Sequence, residues 1–254
     1  MFEAIILGIV QGLTEFIPVS STAHLVFLPE LFGWHGAVDS MSFDVALHFG
    51  TTIALLAFFW QDWMEILFNN RRMLWLILAG SVPAGVVGIL LRKVIEESLR
   101  TPVLIAVMLV LFGVVMYIAE RYQGKKEMRD FRLADIIAVG LAQALALMPG
   151  VSRSGATISA GLFMGYSRPA AARFSFLLST PAICGATLLE SKHIMHGLDA
   201  EMSIFAAGFV TSLLAGWGAL LFLMRYLERH SVNVFVYYRF AFAALIALTV
   251  WQKG

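Results

Sequence analysis

The chain has 254 residues, of which 59% are hydrophobic and 14% charged, with a mean hydropathy of +0.81 and a formal net charge of +1. A soluble domain of this length carries about 25% charged residues, so the composition excludes one and predicts an integral membrane protein in a single compact domain, 1–254. The near-neutral charge singles out no partner and no nucleic acid is expected, while a lone cysteine, Cys184, excludes a disulfide framework and a thiolate metal site and reads as a packing residue.

The N-terminal stretch lacks the basic region and small-residue cleavage site of a signal peptide, so Met1 onward is read as mature protein. Residues 2–31 are apolar but broken near the middle by FIPVSST (16–22). Three runs long enough to cross a membrane follow, at 43–61, 73–92 and 102–119; a full span takes about 20 apolar residues. The longest polar stretch, QGKKEMRDFR (123–132), then marks a solvated joint between a first half, 1–121, and a second half, 130–254, linked through 122–129. Residues 133–165 are again apolar and again broken, by MPGVSRS (148–154), and three further runs lie at 170–190, 203–225 and 234–252. Each break sets proline before hydroxyl residues, a helix stop followed by an N-cap start. Two short helices joined at membrane depth form a re-entrant hairpin, which is tolerated only inside protein or against a watery cavity. The predicted fold is therefore all-α, with six transmembrane helices plus two re-entrant helical hairpins.

The halves resemble each other. GLTEFIPVSST (12–22) parallels ALALMPGVSRS (144–154), HFGTTIA (48–54) parallels LLSTPAI (177–183), and AGSVPA (79–84) parallels AGFVTS (207–212), always in order and at nearly one offset. One hairpin plus three spans per half is an odd number of crossings, so the second half is expected inverted, with the two breaks facing each other at the repeat interface. Lys and Arg set the orientation. The side holding loops 62–72, 120–132, 166–173 and 225–239 carries twelve of the 18, Arg239 among them, against five on the other side, Arg92, Lys93, Arg100, Lys192 and Lys253. The first side is read as cytoplasmic and both termini as outward. Trp34, Trp60, Trp63, Trp75 and Trp251 suit an interfacial belt, and Gly80, Pro83, Gly85 and Gly88 suit close helix packing.

The breaks carry the chemistry. Gln11 and Glu15, four apart, share a helix face, and an ionisable group at membrane depth is a functional candidate by default. The bland alternative is a carboxyl neutralised by a proton or by an arginine. Ser20, Ser21 and Thr22 follow, with His24 three and four residues on, a spacing that brings it within reach of a serine hydroxyl; the bland alternative is a satisfied core histidine. The second break supplies a helix N-terminus at Ser152, the hydroxyls of Ser154 and Thr157, and Arg153. Free helix N–H groups and a forked guanidinium both favour phosphate. Asp44 and His48, four apart at the head of the first span, are either further site residues or an interfacial polar cap. A carboxylate beside a phosphate site also suggests a divalent cation, since Mg²⁺ is usually held by one or two carboxylates with phosphate and water.

QGLTEFIPVSSTAH (11–24) and PGVSRSGAT (149–157) resemble the two signature motifs of the undecaprenyl-diphosphatase family of the bacitracin-resistance type, and length and span pattern fit over nearly the whole chain. The resemblance implies a hydrolase that converts undecaprenyl diphosphate to undecaprenyl phosphate and inorganic phosphate, recycling the lipid carrier of peptidoglycan synthesis in the bacterial inner membrane and conferring bacitracin resistance. It implies a divalent cation, Mg²⁺ or Ca²⁺, an opening toward the periplasm, and inverted repeats. Many members carry Glu where this chain has Gln11, so the metal set here is Glu15 and Gln11, one carboxylate and one amide oxygen. Ser21, His24, Glu15 and Arg153 take the catalytic positions; Ser20, Thr22, Ser152, Arg153, Ser154 and Thr157 take those around the phosphates.

In the expected mechanism Ser21 attacks the terminal phosphorus and His24 or Glu15 takes its proton; direct attack by water or by His24 is the alternative. Candidate partners are the prenyl diphosphate, membrane lipid and a second copy in a homodimer. The rival function is a transporter or flippase for a phosphorylated prenyl lipid, which also uses inverted repeats and broken helices.

Overall fold

The computed structural model describes residues 1–194 and 198–253; the side chains of residues 92, 93, 96–98, 186–194, 198–201 and 253 lie outside the described set. Among the described residues the chain forms eleven α-helices: α1 (Phe2–Phe16), α2 (Ser21–Phe32), α3 (Met41–Phe58), α4 (Trp60–Phe68), α5 (Arg71–Ser98), α6 (Pro102–Glu120), α7 (Leu133–Leu145), α8 (Arg153–Phe163), α9 (Arg168–Ile194), α10 (Leu198–Leu227) and α11 (Asn233–Lys253). Stretches of five of them, Met41–Phe58, Arg71–Leu91, Pro102–Glu120, Met202–Leu227 and Asn233–Gln252, are long and apolar enough to cross a membrane. The protein is thus an all-α, multi-pass membrane protein. The expected span 170–190 falls within α9, and its last five side chains lie outside the described residues.

Both expected breaks are present. α1 stops at Phe16, and Ile17 is extended (φ −63°, ψ 132°) because the ring of Pro18 disfavours a helical residue before it. α7 stops at Leu145, short of Pro149 and Gly150. The chain then re-enters a helix through Ser20 (φ 76°) in the first case and Ser152 (φ 72°) in the second, the two left-handed residues other than glycine among those described. The helices that follow are short. At 1.5 Å per residue α2 and α8 reach about 18 and 16 Å, against about 30 Å of hydrocarbon.

Long helices pack around these broken helices. α10 packs on α1 and α3, α5 on α7 and α9, and α6 on α11, with α3 against α9 at the centre. Several crossings are close enough to require glycine, two of them at the broken helices. A Cβ on Gly8 would sit 1.9 Å from Thr211 Oγ1 and 2.7 Å from the Gly208 carbonyl oxygen, and one on Gly140 would sit 2.5 Å from the Gly80 carbonyl oxygen. So α1 meets α10 through Gly8 and Gly208, and α7 meets α5 through Gly140 and Gly80. Elsewhere the expected glycine packing is not formed: a Cβ on Gly85 would meet nothing within 4 Å, and one on Gly88 only Leu147 at 3.7 Å. The outer faces of α1 and α7 carry exposed apolar stripes, Ile5, Ile9 and Leu13 on one and Ile137, Leu141 and Leu145 on the other.

One of the charged groups departs from the sequence reading. Arg239 is not a loop cation. It is fully buried inside α11 and does not count toward the loop charge. Of the five on the other side, Arg92, Lys93, Lys192 and Lys253 have side chains outside the described residues. Arg168 and Arg173 are ion-paired, with Glu120 and Asp62 respectively. The polar joint is docked: Gly124 and Lys126 donate backbone N–H groups to the carbonyls of Tyr166 and Gly165 (3.2 and 3.1 Å), and Phe131 stacks on Tyr166 and Phe174 at 3.8 and 4.1 Å between ring centroids.

The crossings generate a stability test. Gly140→Ala, whose methyl would enter the Gly80 backbone, costs roughly 1–3 kcal/mol by overpacking, whereas Gly85→Ala is neutral. Thermal unfolding in detergent measures both; equal melting temperatures would contradict the crossing.

Candidate active site at the two helix breaks

One carboxylate collects the groups that the two breaks present. Glu15 sits in the last turn of α1 with its side chain 3% exposed. Its Oε2 accepts hydrogen bonds from Ser21 Oγ (2.8 Å) and Gln11 Nε2 (3.0 Å), and His48 Nε2 stands 3.8 Å from the same oxygen. Its Oε1 pairs with Arg153 Nη2. The reasons are local. Gln11 is one turn before Glu15 on the same face, and Ser21 is the first residue of α2, folded back by the break. His48 comes from α3, where its Nδ1 meets the Asp44 carbonyl oxygen at 2.8 Å; that oxygen accepts, so Nδ1 carries the proton. Asp44 itself lies 3.9 Å from Arg100. Ser21 and Arg153 are both first helical residues, of α2 and α8, so the same local geometry delivers a hydroxyl and a guanidinium from two distant parts of the chain to one carboxylate.

Other expected site residues are placed differently. His24 does not reach a serine hydroxyl. Its Nδ1 donates to the Ser20 carbonyl oxygen (2.8 Å), its Nε2 therefore accepts from Tyr238 Oη (2.7 Å), and the ring stacks on Phe242 at 4.1 Å. The i+4 spacing places it over the backbone oxygen because the carbonyl of Ser20 points along the α2 axis, whereas the side chain of Ser20 lies off it. Thr157 is buried between α8 and α9, donating to the Arg153 carbonyl (2.7 Å) and contacting Ser175 Oγ at 2.5 Å. Ser152 Oγ caps α8 by accepting from Gly155 N–H (3.2 Å) and contacts Ser154 Oγ at 3.2 Å. Ser20 is buried and gives α2 no side-chain cap. That leaves the first-turn N–H groups of α2 available to an anion, together with the partly exposed Ser21, Thr22 and Arg153. Sequence reasoning missed Tyr238 and Arg239. Neither has a local signal, since both act across the bundle from α11.

Whether the site fits a divalent cation turns on Gln11. A carboxylate only accepts, so Gln11 must turn Nε2 toward Glu15, and its Oε1 is left buried with no partner. An orphaned amide oxygen beside a carboxylate suits a hard cation. Among the described residues no group of three or more His, Cys, Asp or Glu could hold a metal alone, so Glu15 and Gln11 fit a Mg²⁺-like ion that takes its other ligands from phosphate and water.

A carboxylate, a hydroxyl, a guanidinium and an open helix N-terminus, gathered where two helices break inside an apolar bundle, give this membrane protein a polar cluster whose chemistry suits an anionic group. The chain belongs to the family described as bacitracin resistance protein BacA, whose sequence model matches residues 4–245. Among its relatives, the undecaprenyl-diphosphatase of Thermodesulfovibrio yellowstonii is 51% identical over 255 residues, covering 100% of this chain and 99% of the relative. Those of Desulforudis audaxviator and Thermomicrobium roseum are 46% and 43% identical, over 98% of this chain and 96% and 98% of theirs.

The shared carboxylate predicts energetic coupling. Glu15→Gln leaves Arg153 without its counter-charge, and a double-mutant cycle with Arg153→Met gives a coupling energy on the order of 1–3 kcal/mol in thermal unfolding. Additive effects would show that the two do not interact.

Proposed function

We propose that this chain hydrolyses undecaprenyl diphosphate to undecaprenyl phosphate and inorganic phosphate, recycling the carrier lipid of peptidoglycan synthesis and so conferring bacitracin resistance. The observation that carries the chemistry is the hydrogen bond from Ser21 Oγ to Glu15 Oε2 at 2.8 Å. It supports Glu15 as the base, in contact with the partly exposed Ser21. Membership of the family and 40–51% identity to relatives named for this activity support the substrate.

In the mechanism we infer, Ser21 Oγ attacks the terminal phosphorus as its proton passes to Glu15 Oε2. Undecaprenyl phosphate leaves, and water then frees Ser21 by hydrolysing the phosphoserine. Arg153, which is 24% exposed and uses Nη2 for Glu15, keeps further N–H donors of its fork for the phosphates. Such positioning and charge stabilisation are most of what phosphoryl transfer needs. His24 holds the Ser20 carbonyl and so steadies the turn that presents Ser21. Glu15 and Gln11 Oε1 would hold a divalent cation, Mg²⁺ or Ca²⁺, which supplies charge neutralisation on the phosphate oxygens. His48 Nε2 lies 3.8 Å from the same carboxylate and lines the site from α3.

The finer architecture is part of this reading. We take the halves 1–121 and 130–254 as an inverted repeat with two re-entrant hairpins and six spans, in the bacterial inner membrane, with termini and site opening toward the periplasm. Support comes from residues that recur at nearly one offset: the left-handed Ser20 and Ser152, Ser21 and Arg153, the glycines 8 and 140, and the crossings of α1 on α10 and α7 on α5.

The experiment is phosphate release from undecaprenyl diphosphate by purified protein in detergent, with no gradient imposed. Release is expected, is abolished by chelator, and is restored by Mg²⁺ or Ca²⁺. Arg153→Ala and Ser21→Ala each lower kcat by a factor of about 10² or more. Gradient-driven lipid movement without hydrolysis would replace the enzyme by a transporter, and full turnover in Ser21→Ala would leave water as the nucleophile.

A further inference from the structure

Behind the Glu15 site lies a cation that the chemistry above does not use. Arg239 is 0% exposed. Its Nε donates to the Leu109 carbonyl oxygen at 3.1 Å, its Nη1 to that of Pro18 at 3.4 Å, and its Nη2 to those of Gly150 at 2.8 Å and Met108 at 3.3 Å. No carboxylate pairs with it among the described residues, and four carbonyl dipoles stand in for a counter-ion. A buried charge held this way is costly to keep unless every donor is used.

The choice of carbonyls carries the argument. Pro18 belongs to the first break and Gly150 to the second, and each stands two residues before the left-handed serine, Ser20 or Ser152, and three before the first residue of its helix, Ser21 or Arg153. Met108 and Leu109 tie the same fork to α6. A left-handed backbone at a residue with a Cβ persists only where its surroundings over-determine it, and the fork grips both turns just upstream of that strain. Only a planar guanidinium offers several donors at fixed angles; a lysine ammonium cannot reach carbonyls on both sides.

We propose that Arg239 is a positioning residue for the phosphatase reaction: its guanidinium ties the two helix breaks to each other and to α6, and so sets Ser21 and Arg153 on the two oxygens of Glu15. The proposal rests on the reading of the Glu15 site given above.

Arg239→Lys keeps the charge and loses the fork. The expected result is a loss in kcat on the order of 10²-fold, as for a catalytic group displaced by about 1 Å, with KM within about threefold because no substrate contact is removed. In Arg239→Ala, guanidinium chloride in the low millimolar range restores part of kcat, which a purely structural defect would not show. Combined with Ser21→Ala, Arg239→Lys costs little further activity. Amide exchange over residues 17–21 and 149–153 quickens in Arg239→Lys, while that of α3 is unchanged. Wild-type kcat and unchanged exchange in Arg239→Lys overturn the proposal, as does a full additional loss in the Ser21→Ala background. If Ser21→Ala and Glu15→Gln stay active while Arg239→Lys is slow, the site reading has failed and the clamp has not. Should no Arg239 variant fold, Gly150→Ala tests the clamp from the other side: its methyl would meet the Ile105 carbonyl oxygen at 2.6 Å and displace the carbonyl that Arg239 holds. Wild-type kcat there overturns the proposal equally.

Discussion

Backbone that leaves a helix inside an apolar bundle must find partners for its N–H and C=O groups within the protein, and this constraint organises the whole molecule. Two helices are interrupted here, at Pro18 and at Pro149–Gly150. Water cannot reach the freed carbonyls of Pro18 and Gly150, so both turn to Arg239; the Ser20 carbonyl turns to His24. The freed N–H groups at the start of α8 are partly met by the Ser152 hydroxyl. Those at the start of α2 receive no side-chain cap, and they lie beside Ser21 and Glu15. The polar interior is thus the consequence of breaking helices inside an apolar bundle, and the proposed anion site is the part that the fold leaves open.

Once the breaks are held, placing the reactive groups takes little more. Ser21 and Arg153 occupy the first position of their helices, so the turn before each of them aims the side chain. Glu15 closes the arrangement across 138 residues of sequence. The ion pair with Arg153 is buried on the carboxylate side and partly open on the guanidinium side, as the proposed phosphate contact would need. Helix crossings without side chains at Gly8, Gly140, Gly80 and Gly208 bring α10 and α5 close to the broken helices, so that α3 and α9 can meet at the centre and carry His48 to Glu15.

The breaks were legible in the sequence because proline and hydroxyl residues interrupt long apolar runs, a signal that needs no tertiary information. Most helix positions were legible for the same reason, but α4, Trp60–Phe68, forms where a loop at 62–72 was expected. Glycine packing was only half legible: Gly80 and Gly85 look alike in a hydrophobic run, and only the neighbour's backbone decides which of them is needed. His24 shows how spacing misleads. The i+4 relation to Ser20 was right, but in a helix that relation brings a side chain to the backbone oxygen as readily as to the hydroxyl. Arg239 was misplaced because it lies near the polar end of an apolar run, where a loop cation and a buried one have the same sequence surroundings.

The sequence by itself determined an all-α membrane protein, two polar breaks, and the residue types gathered in them, because hydropathy, proline and capping act over a few residues. Only the tertiary structure decided the pairings. That Ser21 meets Glu15 and not His24, that Thr157 faces Ser175, and that one guanidinium from α11 answers both breaks all depend on which helices cross and at what distance. Those distances are set by side-chain volume and backbone approach between elements up to 221 residues apart, and no local pattern encodes them.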